Sequence, residues 1–380
     1  MSTFRNLRRP LALVLLGLAS GMAQAEVEDD RVPPIAAAAA PAPVPLSARI
    51  RDFRQHRARP LDHVAEHAAA VLPYAALANA VYCDAVIKRQ GDSGAAKPSD
   101  HGCIFDDDFQ RHGWVPLREY PDDTLALRGN ARGLKLAVFY RDLGPEQPVS
   151  VGVAFRGTDF TSWTDWHSNL RWFLPGRDQY DVVSEIAAPV LARSKEEIAA
   201  RLGRPVAAWD IVATGHSLGG GLAQLFAYKS AEVRGAVVFD PSPVTAFHSC
   251  VSDDEVNCNV PIWRVYERGE VLAYVRAFTR LFYVLSENIT ELEFDLVGGN
   301  PIANHSMTRF YRQLAAEVER SPVAMAQQAR LFEPRPDCTC MRVRRADKWA
   351  SVAEACERLM TERDAAPAAA RADLVAGLMP

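Results

Sequence analysis

No Cys-x-x-Cys pair occurs in this chain of 380 residues, and none of its seven cysteines has a histidine at zinc-finger spacing. Structural zinc therefore does not account for the cysteines. Positive charge is also lacking. The formal net charge is −4, which removes the electrostatic reason to bind nucleic acid or anionic headgroups. Beyond the first 22 residues no apolar run is long enough to span a bilayer. No segment repeats another, which excludes solenoids and propellers. Lysine is scarce beside arginine, a bias expected of a GC-rich bacterial genome.

What is present starts with an export signal. Arg5, Arg8 and Arg9 precede the apolar stretch Leu11–Met22, and Ala23-Gln24-Ala25 forms a small-residue cleavage site before Glu26. The apolar stretch is too short for a spanning helix. Arg8-Arg9 is followed by Pro10, a poor twin-arginine match, and no cysteine near the cut offers a lipid attachment point. The expectation is a signal peptide over 1–25 and a soluble product, periplasmic or secreted, with no transmembrane segment in the mature chain. In an oxidising compartment the seven cysteines read as a partial disulfide framework. The closest pairs are Cys250–Cys258, Cys83–Cys103, and Cys356 with Cys338 or Cys340, with one cysteine left over.

Residues 26–62 carry Pro33-Pro34, an alanine run, Pro41, Pro43 and Pro45, which predicts an extended, unpacked linker. From His63 to Ala85 the apolar spacing is helical. Residues 86–118 are polar and read as loop. Leu134–Tyr140 and Ser150–Phe155 read as consecutive strands with Gly144-Pro145 in the turn. Tyr180–Leu202 reads as a helix, and strands follow at Ile211–Ala213, Ala236–Asp240, Ile262–Tyr266 and Leu292–Val297. Val271–Leu285 is apolar and helix-prone, and a further helix runs through Arg320. Strands alternating with helices predict an α/β fold, a mainly parallel central sheet with helices on both faces. The division expected is a hydrolase domain over 63–330 and a cysteine-containing helical extension over 331–380.

The chemistry centres on Asp210-Ile-Val-Ala-Thr-Gly215-His-Ser217-Leu-Gly219-Gly-Gly-Leu-Ala-Gln-Leu-Phe-Ala-Tyr228. A β-favouring run enters Gly-His-Ser-Leu-Gly, and a helical spacing (Leu222, Leu225, Phe226) leaves it. That is the strand, sharp turn and helix of a G-x-S-x-G nucleophile elbow. A serine projected from so tight a turn is backbone-strained, and its neighbours two residues away must lack a Cβ. The following helix aims its first N–H groups at a developing oxyanion. A serine hydroxyl at neutral pH needs a histidine base, itself oriented by a carboxylate. In chain order after the elbow, His305 stands behind the last strand, where the base belongs. His248 comes too early, and His216 lies inside the elbow. Two acids fit the order: Glu270 after the strand at 262–266, and Asp240 at the end of the strand at 236–240. Glu267 is an outside choice.

The stretch Phe155-Arg-Gly-Thr158-Asp-Phe-Thr-Ser-Trp-Thr-Asp-Trp166-His-Ser-Asn-Leu170, taken with the elbow, resembles the class 3 (fungal-type) lipase family over about residues 74–314. The resemblance implies an α/β-hydrolase fold, with oxyanion donors at Thr158 and at the Leu218 backbone N–H. It implies a lid in which Phe160, Trp163 and Trp166 cover the site and open at a lipid interface. It favours Glu270 as the acid through Gly269-Glu270-Val271, with glutamate where the family has aspartate. Asp240 stays in play because Phe-Asp-Pro resembles the acid position of pancreatic-type lipases. The expected activity is an exported carboxylester hydrolase acting through Ser217, His305 and Glu270 or Asp240, on lipid or small esters. It needs no cofactor or metal and no partner beyond transient contact with a lipid interface. A phospholipase A or membrane-directed toxin is the alternative within ester chemistry, with a peptidase or amidase behind it and a non-catalytic binding protein as the rival of another class.

Overall fold

Val149–Phe155 is apolar at nearly every position, which suits a strand covered on both faces, and the computed structural model buries all seven of its residues. The structure describes residues 47–51, 59–61, 63–83, 112–120, 134–157, 179–242, 260–273, 276, 288–321 and 331–332. Among them, nine strands form one sheet: β1 (Ser47–Arg51), β2 (Arg59–Pro60), β3 (Val115–Tyr120), β4 (Leu136–Arg141), β5 (Val149–Phe155), β6 (Trp209–His216), β7 (Val233–Phe239), β8 (Ile262–Glu267) and β9 (Ile289–Asp295). Their spatial order is β2-β1-β9-β8-β7-β6-β5-β4-β3. The described helices are α1 (Val64–Ala80), α2 (Gln179–Leu202), α3 (Leu218–Tyr228), α4 (Pro301–Asn304) and α5 (Met307–Arg320).

The five central strands, β5 to β9, run parallel in sequence order. The edges do not. β3, β4 and β5 pair antiparallel, and β1 pairs antiparallel with both β9 and β2. The expected mainly parallel sheet is therefore a mixed one. The link from β4 to β5 is too short for a crossover, so the two strands must run antiparallel; in it Asp142 Oδ1 accepts from the Gly144 N–H at 3.0 Å. Alternate strand residues serve opposite faces. Ala154, Val212, Val237 and Phe239 pack with α1 and α5 on one side. Val153, Ala213, Ala236 and Val238 pack with α2 and α3 on the other.

Three boundaries read from sequence change. Residues 47–51 and 59–60, inside the expected linker 26–62, are strands of the sheet. β1 pairs with β9 and β2 with β1, partners that composition alone cannot announce. β3 starts inside the stretch 86–118 read as loop. Leu331 and Phe332, the first residues of the expected extension, are part of the packed body. The Leu331 carbonyl accepts from Trp263 Nε1 at 2.6 Å, and the Phe332 ring lies under the Arg234 guanidinium. The signal segment, the rest of the extension and most of the helix read at 271–285 lie outside the described residues. So do all the cysteines except Cys83, which is disulfide-bonded. No described helix is long and apolar enough to cross a membrane.

Candidate active site

Parallel strands present their carboxyl ends along one rim, the place where open α/β sheets collect ligands and chemistry. Here the rim carries Arg156-Gly157 after β5, Ser217 after β6, Asp240 after β7 and Glu270 after β8, with His305 following β9. Ser217 has φ 56° and ψ −123°, a conformation that a non-glycine residue keeps only when its surroundings over-determine it. They do. Its N–H donates to the Phe239 carbonyl at 3.0 Å, and its own carbonyl accepts from the N–H groups of Gly220, Gly221 and Ser242 at 3.1, 3.3 and 2.9 Å. The flanking glycines are required by space. A Cβ at Gly215 would lie 2.5 Å from the Gly219 carbonyl oxygen, and one at Gly219 would lie 2.1 Å from that of Phe155. Leu218 opens α3, so its N–H is among the first-turn donors with no intrahelical acceptor.

Glu270 and His305 meet. His305 Nδ1 lies 2.6 Å from Glu270 Oε2, and both side chains are buried. Their loops are joined through the backbone, Val271 N–H to the Pro301 carbonyl at 3.0 Å, and through Asn304 Nδ2 to the Arg268 carbonyl at 3.1 Å. His305 itself sits between two short-range caps. Asn300 Oδ1 accepts from the N–H groups of Ile302 and Ala303 at the start of α4, and Ser306 caps α5. The His305 ring lies 4.6 Å, centroid to centroid, from that of His216, the residue before the serine.

Sequence reasoning missed the groups that hold this pair. Arg276 bonds Glu270 Oε1 through Nη2 and stacks its guanidinium 4.0 Å over the Tyr266 ring. Burial pushes the Glu270 carboxyl up, but Arg276 first and then His305 bring it below its usual value. Glu270 thus stays ionised with almost no contact with water. Tyr82, just past α1, accepts from the Gly157 N–H at 3.1 Å and lies 3.1 Å from His216 Nδ1 through the same hydroxyl. Nothing in the helical spacing of α1 marks that tyrosine, because its partners are brought in by the sheet. Arg276 lay in an apolar stretch read only as helix.

Asp240, the other candidate acid, sits in the same cluster with a different role. It is fully buried, at φ 40°. Its Oδ1 accepts from the Glu267 N–H at 2.9 Å, while Oδ2 has no hydrogen-bond partner among the described residues. Burial and then the neighbouring Glu270 charge push it well above the usual carboxylate range. Of two carboxylates this close, the one with the guanidinium and the imidazole takes the charge and the other takes the proton. His216 is held well below its ordinary value by burial, with His305 adding to the effect. Glu267 is engaged by the N–H groups of Leu296 and Val297, its Oε1 at 2.9 and 3.0 Å.

Thr158, Phe160, Trp163 and Trp166 lie outside the described residues. Their strand end is in place, however: a Cβ built on Gly157 would be 3.2 Å from Ser217 Cβ. No curated protein matches the chain. A family of phospholipase-like proteins does, through its Tle-like phospholipase domain, over residues 73–277. The match takes in the elbow, Asp240, Glu270 and Arg276 and stops short of His305. It is to a phospholipase family and not specifically to the class 3 lipases that the motifs resemble. With more than half of its residues inside that match, the chain belongs to the Tle-like phospholipase family, whose chemistry is the hydrolysis of lipid esters.

Proposed function

We propose that the chain is an exported serine hydrolase of α/β-hydrolase fold that cleaves acyl esters of lipids, a phospholipase of the A type. The observation that carries this reading is the buried 2.6 Å contact between His305 Nδ1 and Glu270, on the same rim of the sheet that carries Ser217, strained at an elbow. Ser217 Oγ attacks the ester carbonyl and gives its proton to His305 Nε2. The tetrahedral oxyanion is held by the Leu218 N–H and by Thr158. On collapse the acyl C–O bond breaks, and the alkoxide of the lysolipid leaves with the proton from His305. Water, deprotonated by the same imidazole, then attacks the acyl-enzyme and releases the fatty acid and Ser217. Glu270 fixes the imidazole tautomer and stabilises the imidazolium. The family resemblance makes Phe160, Trp163 and Trp166 the candidates for a lid, and contact with the lipid interface is transient. Export follows from the Arg5–Ala25 segment.

The test uses phosphatidylglycerol vesicles. Wild type is expected to release fatty acid and lysolipid and to be labelled by a fluorophosphonate, and Ser217→Ala to do neither. Release of a phosphorylated headgroup, or turnover by Ser217→Ala at the wild-type rate, would remove the reading.

A further inference from the structure

His216, Asp240 and His305 come from the ends of three different chain segments, yet one ligand atom from each lies within 4.8 Å of the other two. In each group the second polar atom is already engaged. His305 Nδ1 bonds Glu270, His216 Nδ1 faces the Tyr82 hydroxyl, and Asp240 Oδ1 accepts from Glu267. Two of the remaining atoms, Asp240 Oδ2 and His216 Nε2, have no hydrogen-bond partner among the described residues although both side chains are buried. Leaving buried polar atoms unpaired is costly, so a ligand that satisfies them is favoured. We propose that His216, Asp240 and His305 bind a divalent transition metal of the zinc class, and that the metal reversibly silences the enzyme by occupying His305 Nε2.

The donor set fits. Two imidazoles and one carboxylate, with a fourth position for water, are what zinc takes at sites it does not close. A carboxylate behind one ligating histidine and a hydroxyl behind the other are the outer contacts that orient such rings. Metal on His216 Nε2 moves that ring's proton to Nδ1, where the Tyr82 oxygen can accept it beside the Gly157 N–H. Glu270 beside the site is offset by the buried Arg276 guanidinium, and the metal takes the place of the proton on Asp240. Zinc bonds of about 2.0–2.1 Å in a tetrahedron place ligand atoms roughly 3.4 Å apart, so the three groups close by about an ångström on binding.

Binding of the metal does not depend on the catalytic reading above; only the silencing does. The binding arm therefore uses full-length Ser217→Ala protein. Titration with ZnCl2 by calorimetry is expected to give one site. Co2+ in its place is expected to show d–d absorption without a thiolate charge-transfer band. Asp240→Asn and His216→Gln are each expected to weaken binding at least tenfold, with folding checked by thermal melts, and His63→Gln to leave it unchanged. If one of the two ligand variants does not fold, the other decides. Absence of a site, or equal affinity in the ligand variants, overturns the proposal. In the activity arm, ZnCl2 is expected to suppress ester hydrolysis by wild type and a chelator to restore it. Binding without suppression removes His305 from the ligand set and overturns the proposal too. A wild type that hydrolyses no ester at all would sink the catalytic reading and leave the binding result standing.

Discussion

Two carboxylates reach the same histidine cluster, and their environments separate them. Glu270 shares its charge between His305 Nδ1 and Arg276, while Asp240 is buried with one oxygen on a backbone N–H and the other unpartnered among the described residues. Glu270→Gln should therefore lower kcat by about 10⁴-fold, the scale seen when a triad acid loses its charge but keeps its shape. Asp240→Asn replaces a carboxyl that is already proton-bearing and should cost far less. Ester hydrolysis by both variants at matched protein stability decides it, and the reverse order would make Asp240 the orienting acid. The sequence could nominate both because each follows a parallel strand after the elbow. Only the family resemblance ranked Glu270 first; the physical ground for the ranking is Arg276, which reaches Glu270 from the apolar stretch that follows. Ser217 was legible for the opposite reason: its strain, its glycines and its helix are all within a few residues of it.

At the scale of elements, His305, the proposed base, is positioned by the junction of two helices more than by any strand. α4 is a single turn whose first N–H groups are taken by Asn300 Oδ1 at 3.0 and 2.8 Å, and His305 is its C-cap. α5 then packs Phe310 and Leu314 into the core shared with α1, and Thr308 bonds Asn79 across that contact at 2.9 Å. Asn300→Ala removes an N-cap worth about 0.5–2 kcal/mol. The expected result is a lower unfolding temperature together with a lower kcat at little changed KM, because the turn holds the imidazole and not the lipid. Asn300→Asp keeps the acceptor and adds a charge that suits a helix N-terminus, so it should restore both quantities. A stability loss with kcat intact would show that the cap serves folding alone. Elements of this kind were partly legible. The long helix at 307–320 follows from its apolar spacing, whereas the one-turn α4 has too few residues to leave a period. The strand β1, one place in from the edge, was not legible either, since it is a strand only because β9 offers it a ladder.

For the molecule as a whole, the cluster of acids under the rim gives folding its own pH dependence. Burial holds the Glu267 carboxyl at about 7 against its usual 4.5, with Asp295 and Glu293 adding to the rise and the Leu296 and Val297 N–H groups opposing it. Asp240, which faces Glu267 through its backbone N–H, is shifted in the same direction. A folded-state value above the unfolded one means that the native protein keeps a proton which the unfolded chain releases between about 4.5 and about 7. Stability from Glu267 therefore declines as pH rises through that window. Glu270 acts the other way: its value is lowered, so its contribution is present above the usual 4.5 and is lost only as pH falls through the lower folded value. His216, kept neutral by burial, also opposes Glu267, because below 6.5 the unfolded chain takes up a proton that the native state refuses. The raw profile is a sum of these slopes, and the diagnostic is a difference. Glu267→Gln keeps an oxygen for the Leu296 and Val297 N–H groups and cannot ionise. Its unfolding temperature, measured from pH 4.5 to 7.5, should gain on wild type steadily as pH rises, by roughly 1.4 kcal/mol in stability per pKa unit of the shift it abolishes. A gap between the two proteins that stays constant across the range would mean that Glu267 does not titrate there, and that the buried acids hold their charges together without it.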